Sequence, residues 1–415
     1  MRRLLLLLTA LAIAVIVYLF VPVFQEPTAR SLSTSQLELL SRVPGDADLV
    51  ALVPDAASMY YTTRTHPLTR DAIADLRADS DPGPLPLLLG NSDLVLWRKA
   101  DETNYIARPD LLRRLILRLV DPRVVERDGI VFLGRAEESH APAPAFGGLL
   151  DGRVGHLFVW QREESRTFPP IPRPAASVMT LEKDAIRVLS FARSDGEVRA
   201  LPLRFPRGAM LAAIVSSSPR WVADLERALP IHIAPLLAQG ALFALYGVED
   251  RPLFPRPFGV VAFPADEARA DELESMLDSL LPLEVLAEKS ERTVRGISIR
   301  RRNGIGFVVE SARVPDAVVV AFDKSSIERY LADTMSEAPE KPFLWSVRLL
   351  PRDVVPVLEK VKENPGMRLV ARDLSRGAER IYRSARWFES AESIVSTATA
   401  EAGRIRLETV ISAPK

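Results

Sequence analysis

The feature that most constrains this chain is an uncharged apolar run near its N-terminus, from Leu4 to Phe24. The run spans 21 residues, and roughly 20 apolar residues are needed to cross a hydrocarbon core of about 30 Å. A backbone in lipid must satisfy its own hydrogen bonds, which favours a transmembrane helix. Arg2 and Arg3 precede the run, so the N-terminus is expected to stay in the cytoplasm. The sequence therefore predicts a single-pass protein of a bacterial inner membrane, with the bulk of the chain periplasmic or extracellular.

The competing interpretation of the run is a cleaved signal peptide. The apolar region of such a peptide usually spans about 7–15 residues and ends in a small-x-small site. This run is longer, and residues 21–27 contain no such site. The uncleaved anchor is favoured, while cleavage stays open as the alternative. The predicted anchor residues are Leu4, Leu8, Ile13, Val17, Phe20 and Phe24.

Composition bounds the rest of the chain. The 415 residues leave room for two ordinary domains beyond the anchor. An apolar content of 47% with 26% charged residues is typical of globular proteins. The 54 basic and 54 acidic residues cancel, which argues against bulk attraction to nucleic acid or to anionic lipid. The chain has no cysteine, which excludes disulfides, thiolate nucleophiles and cysteine-ligated metals.

Units of strand, breaker and helix recur along the chain. In each unit an apolar run of strand length meets a Pro, Ser or Asp junction, and helix-type sequence follows. The predicted strand and helix pairs are 48–53 with 56–79, 210–215 with 221–229, 258–263 with 267–281, 317–322 with 326–334, and 343–349 with 354–362. A further strand is predicted at 93–97, a helix at 109–119 and a hairpin at 124–134.

The two halves of the chain end in similar hairpin patterns. Residues 185–205 alternate around Ser194-Asp195-Gly196, and residues 393–412 alternate around Glu401-Ala402-Gly403. This similarity indicates an internal duplication. The predicted domains are an anchor over 1–24, a juxtamembrane tether over 25–40, a first module over 41–206 and a second module over 207–415.

The predicted fold class is α+β. The N-terminal transmembrane helix is expected to precede two related modules, each a mixed β-sheet with helices mainly on one face. Mixed sheets are expected because some strands are continuous apolar runs, whereas others alternate in hairpins.

No motif in the sequence carries recognisable chemistry. The chain has no H-E-x-x-H, no Walker A loop, no G-x-G-x-x-G after a strand and no G-x-S-x-G elbow. Its four histidines, His66, His140, His156 and His232, show no ligand spacing. A Gly-rich passage over 146–155 is better explained as a turn than as a ligand loop. No catalytic, cofactor-binding or metal-binding residue is therefore predicted, and no cofactor.

Two charged segments allow both a functional and a structural interpretation. Arg300-Arg301-Arg302 before Gly304 could bind phosphate, but Asn303-Gly304 is a hairpin signal, which leaves the arginines solvated. The acidic segment 266–278 could pair carboxylates for acid–base work. A solvated helix face is favoured, opposite the packing residues Leu273, Met276, Leu277, Leu280 and Leu281.

A basic amphipathic segment, Leu111–Leu119, also has two interpretations. It could lie on a membrane surface with Arg113, Arg114 and Arg118 towards the head groups. Alternatively its leucines could cover a sheet, and this packing role is favoured.

The strand–Pro–helix units, the terminal hairpins and the segment Val43-Pro44-Gly45-Asp46-Ala47-Asp48 resemble bacterial envelope proteins of unknown function. Those proteins have one N-terminal membrane helix and tandem α/β modules. The resemblance implies a location outside the cytoplasm, no particular activity and no functional residues.

Three functions remain open at this stage. The favoured one is a non-catalytic interaction or assembly protein, held in the lipid bilayer by its N-terminal helix, with a protein partner in the envelope. The first alternative is binding or transfer of a lipid or other hydrophobic envelope molecule. The second is an enzyme with a site that its sequence does not reveal. The polarity of the largest concave pocket should separate the three.

Overall fold

We describe the fold from a computed structural model of the chain. The residues it describes are 18, 21–70, 85–99, 102–122, 124–133, 149–150, 152–162, 175–193, 201, 203–216, 234–249, 255–280, 288–304, 307–335, 343–364, 382, 385–401 and 404–414. The chain divides into two compact units, unit 1 over Met1–Arg193 and unit 2 over Ser194–Lys415. The sequence pattern places the module boundary between Pro206 and Arg207.

Unit 1 begins with a short 3₁₀ turn, Val21–Phe24, and then alternates strands with helices. Its strands are β1 (Arg30–Ser31), β2 (Leu49–Val53), β3 (Leu94–Lys99), β4 (Glu102–Ala107), β5 (Val125–Arg127), β6 (Ile130–Leu133), β7 (Val154–Gly155), β8 (Leu157–Gln161), β9 (Ala175–Glu182) and β10 (Ala185–Arg193). Its described helices are α1 (Thr34–Leu40), α2 (Ala56–Thr65), α3 (Leu85–Leu89) and α4 (Leu111–Val120).

Unit 2 has a similar alternation. Its strands are β11 (Leu211–Val215), β12 (Ala241–Glu249), β13 (Arg256–Pro264), β14 (Glu288–Val294), β15 (Ile297–Gly304), β16 (Phe307–Val314), β17 (Ala317–Ala321), β18 (Trp345–Leu349), β19 (Ser393–Glu401) and β20 (Arg404–Ser412). Its described helices are α5 (Ala234–Leu237), α6 (Glu267–Leu280), α7 (Ser326–Ala332) and α8 (Pro351–Glu363).

The strands of each unit form an antiparallel sheet. In unit 1 the order across the sheet is β5-β6-β4-β3-β2-β8-β9-β10, and β1 pairs separately with β7. In unit 2 the order is β14-β15-β16-β17-β13-β12-β11-β18-β19-β20. Every described pairing within the two sheets is antiparallel.

The two sheets share one topology over seven strands. The segment β6-β4-β3-β2-β8-β9-β10 of unit 1 matches β17-β13-β12-β11-β18-β19-β20 of unit 2 in spatial order and in chain order. The units differ beyond β6 of unit 1 and β17 of unit 2, the strands with which these two segments begin. Among the described residues, unit 1 adds only the three-residue β5 there, whereas unit 2 adds β16, β15 and β14.

Both sheets are apolar on both faces. In unit 1, Ile106 of β4 belongs to the core that includes α1, whereas its neighbour Ala107 belongs to the core that includes α3 and α4. In unit 2, Val319 of β17 lies in the core under α7, and its neighbour Val318 lies in the core under α6. Since successive strand residues point to opposite faces, each sheet needs helices on both sides.

The predicted fold class is therefore wrong. Each sheet is antiparallel and not mixed, the strands dominate the described structure, and the helices cover both faces of the sheets. Continuous apolar runs favour a mixed sheet that contains parallel strands, but an antiparallel strand buried on both faces has the same pattern. The position of most individual elements is confirmed, including the hairpin at 124–134 and the helix at 109–119.

Of the hairpin predicted over 185–205, the structure describes the first strand but not the turn. Residues 185–193 form β10, but this strand pairs backwards with β9 across Lys183 and Asp184. The proposed turn at Ser194-Asp195-Gly196 lies outside the described residues. The hairpin over 393–412 is confirmed as β19 and β20.

Most of the predicted anchor lies outside the described residues, including Arg2, Arg3, Leu4, Leu8, Ile13, Val17 and Phe20. Phe24 ends the 3₁₀ turn that follows. In the part of the chain that the structure describes, no helix is both long enough and apolar enough to cross a membrane. Within the predicted tether, α1 buries Leu39 and Leu40 in the core of unit 1.

Gly240 lies where the backbone of unit 2 comes close to Val215, the last residue of β11. It has φ +88°, and a Cβ there would lie 2.4 Å from the carbonyl oxygen of Val215. We expect Gly240→Ala to lower the free energy of unfolding by about 3 kcal/mol, through backbone strain and a clash with rigid backbone. Urea unfolding would measure the loss.

Gly296 supplies the matched control for this substitution. It has φ +79°, but a Cβ there meets nothing within 4 Å. Gly296→Ala should cost only about 1 kcal/mol, from the left-handed backbone alone. Equal losses for the two variants would show that the approach to Val215 has no energetic weight.

Candidate functional site

The candidate site is an apolar groove in unit 2, with a volume of about 240 Å³. Its floor is one face of three adjacent strands, β11, β12 and β13. One cross-strand row consists of Leu211, Leu245 and Gly259, and the next consists of Ala213, Phe243 and Val261. These six residues alternate with core residues such as Ala212 and Ala244, because neighbouring strand residues face opposite sides.

The groove lies where the cover provided by the described helices ends. Phe243 and Val261 border the core under α6, whereas Leu211 and Leu245 border the core under α8. Between these two cores the floor stays partly exposed.

Small residues deepen the groove. Ala213 and Gly259 each stand beside a larger side chain in their row. A Cβ on Gly259 would lie 2.2 Å from the carbonyl oxygen of Ala244, so the close approach of β12 and β13 requires glycine there.

The rim of the groove is formed by Pro257, Phe322 and Asp323. Phe322 is 57% exposed, an unusual position for a large aromatic side chain. Its carbonyl oxygen accepts a hydrogen bond from the Arg256 guanidinium, which ties this loop to β13.

The carboxylate of Asp323 is committed to the start of α7. It accepts hydrogen bonds from the backbone N–H groups of Ser325 and Ser326, both at 2.8 Å, and from their hydroxyls. Burial by itself would raise the pKa of Asp323, but these hydrogen bonds hold it below its usual value. Among the described residues that line the groove, Asp323 is thus the one acidic group, and its ionised carboxylate is bound to the start of α7.

A second polar feature of unit 2 is a network of buried charges on β14, β15 and β16. Glu310 is fully buried and pairs with Arg301 at 2.6 Å and with Arg292 at 3.1 Å. Arg292 also pairs with Glu328 of α7. The two arginines and the two glutamates of this group therefore balance each other in charge.

The opposite face of these strands pairs with α6. Arg302 donates to Asp278 at 2.5 Å and to the Ser311 hydroxyl at 2.8 Å. Arg300 and Arg313 both pair with Glu274, which is itself buried. Charge pairing therefore fixes α6 over the extra strands of unit 2.

These contacts correct two sequence interpretations. Arg301 and Arg302 are not solvated edge residues, because they are largely buried and paired. The acidic segment 266–278 is only partly a solvated face, since Glu274 and Asp278 hold arginines of the sheet. The hairpin is confirmed, but β15 and β16 meet at Gly304 and Phe307, two residues later than predicted.

The described histidines have structural roles. His66 bridges the carbonyl of Glu182 and the backbone N–H of Leu68. His156 accepts a hydrogen bond from the N–H of Leu181, and burial lowers the pKa of its imidazole. Among the described residues no cluster could hold a metal ion, while His140 and His232 lie outside them.

The sequence analysis did not identify the groove. Its signal is present in β11, β12 and β13, which carry apolar residues on both faces. That pattern indicates two covered faces, and it cannot show where the helices leave part of one face open.

Comparisons with known proteins do not identify this chain, since no protein-family model, no curated protein and no solved structure matches it. The suspected resemblance to bacterial envelope proteins therefore stays a prediction.

The burial of Glu310 between two arginines predicts that its replacement strongly lowers the free energy of unfolding. Replacing Glu310 by Gln leaves Arg292 and Arg301 without their shared counter-charge. Removing one partner of a buried pair costs about 3 kcal/mol or more of unfolding free energy. Urea unfolding of the two proteins at neutral pH would measure this loss.

Asp271→Asn is the matched control, because it removes an exposed carboxylate that pairs with Arg313 at 2.6 Å. The side chain of Asp271 is 69% exposed, so the loss should be at most about 1 kcal/mol. A loss at Glu310 no larger than this would contradict the assigned role of the buried network.

The hydrogen bonds that Asp323 accepts at the start of α7 predict that the free energy of unfolding depends on pH. Because the folded-state pKa lies below the unfolded value of about 3.9, the cap contributes fully above pH 4. Its contribution is lost as the pH falls through the folded-state pKa. The difference in unfolding free energy between the wild type and Asp323→Asn should therefore shrink towards low pH.

Urea unfolding across this pH range would test the prediction. Asp316→Asn, in the exposed turn between β16 and β17, serves as the control and should show no comparable change. A difference that stayed constant down to the lowest pH would rule out an ionised cap.

Proposed function

We propose that the protein is a non-catalytic interaction protein held at a bacterial envelope membrane, and that unit 2 binds an apolar side chain of a protein partner. The observation that carries the proposal is the groove on β11, β12 and β13 with the exposed Phe322 at its rim. Exposed apolar surface with a concave centre is typical of protein interaction sites.

The size of the groove favours a protein side chain over a small ligand. Sites that enclose a small molecule usually have volumes of about 300–1,000 Å³. At about 240 Å³ the groove falls below that range, and it is partly open. A large aliphatic or aromatic side chain anchored in such a pocket is the usual centre of a protein interface.

The chemistry of the groove favours binding over catalysis. The six floor residues are apolar, and both carboxylate oxygens of Asp323 already accept hydrogen bonds at the start of α7. A general acid or base would need a carboxyl or imidazole free to reach a substrate. The arginines of β14, β15 and β16 are likewise paired with acidic residues of these strands or of α6 and α7.

Photo-crosslinking in membranes would test this proposal. We would place p-benzoylphenylalanine at Phe322 of the full chain and identify the adducts by mass spectrometry. A discrete protein adduct is expected, and Ala213→Leu should remove it because the added side chain fills the groove. Ala213→Val should give an intermediate yield.

Thr293, an exposed residue of the edge strand β14, is the control position for the crosslinker. The same adduct from Thr293 would show contact without specificity. Fold integrity of the Ala213 variants would be checked by urea unfolding. A lipid adduct at Phe322 would replace the proposal with hydrophobic-ligand binding, and an adduct that survives Ala213→Leu would remove the groove as the site.

A further inference from the structure

Helix α4 of unit 1 presents an apolar face to the outside. Leu119 is 85% exposed and Leu111 is 64% exposed, values far above those of ordinary helix leucines. The residues of this leucine face are Leu111, Leu112, Leu115, Leu119 and Val120. The four leucines share one side of the helix by their spacing.

The orientation of α4 is fixed by its buried side. Arg113 is only 4% exposed and donates to the carbonyl oxygens of Leu87, at 2.5 Å, and of Tyr18, at 2.9 Å. Leu117 packs in the core with residues of α3 and β6. The exposed leucines therefore cannot turn inward without breaking these contacts. The preferred interpretation, that the leucines of this segment cover a sheet, is confirmed for Leu117 and is wrong for Leu111, Leu112, Leu115 and Leu119.

Unit 2 shows what the equivalent helix does when more sheet is available. Both α4 and α6 follow the third strand of the shared topology. Helix α6 covers β15 and β16 through Leu273 and Leu277 and through its pairs with arginines. In its described part, unit 1 has only the short β5 in that region, so no described strand lies under the leucine face of α4.

The N-terminal apolar run reaches unit 1 at the start of this helix. The Tyr18 hydroxyl donates to the carboxylate of Asp110, the N-cap residue of α4. The Arg113 guanidinium lies 4.5 Å from the centre of the Tyr18 ring. Further along, the carbonyl of Pro22 accepts a 2.7 Å hydrogen bond from the buried Ser58 hydroxyl. The end of the apolar run is thus held against unit 1.

We propose that the leucine face of α4 is a contact with the lipid bilayer, with the helix lying flat in the interface. Residues 4–17 contain no charged side chain and join Tyr18 directly. Wherever that apolar segment enters lipid, the N-terminus of α4 is brought to the bilayer surface. A helix of about 15 Å with leucines on one side and arginines beside them is suited to this position.

The arginines beside the leucine face support the same orientation. Arg114 and Arg118 pair with Glu126 at 2.6 Å and 3.0 Å. This group carries an excess positive charge next to the leucines, where anionic head groups would lie.

A second copy of the chain is a poorer occupant. Standard protein interfaces involve roughly 20–30 residues a side, whereas the leucine face has five. The inference goes beyond the proposed function, which depends on unit 2, and it would stand if the groove bound nothing.

Depth-dependent fluorescence would test this surface in the full chain. Because the chain has no cysteine, single variants Leu115→Cys and Leu119→Cys can each carry one environment-sensitive fluorophore. The protein would be reconstituted into vesicles of phosphatidylcholine with phosphatidylglycerol. We expect blue-shifted emission at both positions and loss of intensity with a quencher attached to the lipid chains.

Lys183→Cys, in the exposed turn between β9 and β10, is the control and should show neither change. Leu111→Glu with Leu112→Glu should reduce the quenching at 119. Emission unaffected by the lipid quencher would overturn the proposal. Emission that is already blue-shifted in detergent and that the lipid-attached quencher does not reduce would also overturn the proposal. It would indicate that protein, and not lipid, covers the leucine face.

Discussion

The structure depends on one constraint, which is that its strands are apolar on both faces. A strand such as β17, buried at every position, cannot sit at the surface of a one-sided sheet. Each unit therefore places helices on both sides of an antiparallel sheet, with α6 and α7 on opposite faces of unit 2. The candidate groove and the leucine face of α4 are both consequences of how far that cover extends.

The shared seven-strand topology shows where the two units differ in structure. Both units have a helix after their third strand, but among the described residues only unit 2 extends the sheet beneath it, with β14, β15 and β16. The extension brings Arg300, Arg302 and Arg313 under α6, where acidic residues of the helix neutralise them. Unit 1 has no such extension in its described part, and its helix keeps leucines on the outside.

The paired charged residues described in unit 2 stabilise its fold. Glu310 is buried between two arginines, and Asp323 fixes the start of α7. Buried charges need partners because their desolvation is costly, and here the partners are other residues of the same unit. The groove is left with an apolar floor, which suits recognition of an apolar group better than proton transfer.

Most elements of the fold were predictable from local pattern. The strand at 210–215, the helix at 267–281 and the hairpin at 393–412 follow from apolar periodicity and from Pro, Ser and Gly junctions, which act within a few neighbouring residues. Strand pairing was less predictable, because a run such as β17 has the same composition in a parallel and in an antiparallel sheet. The backward pairing of β10 with β9 was missed for the same reason.

The sequence by itself determined where the chain forms strands and helices, that no cysteine chemistry is available, and that charge is balanced. Only the tertiary structure decided the direction of pairing, the burial of Glu310 and Arg302, and the outward turn of the α4 leucines. It also decided that Leu211, Phe243 and Gly259 lie side by side as a groove. These features depend on contacts between residues distant in the chain, and amphipathic periodicity shows that a helix has two sides without showing which side meets the protein.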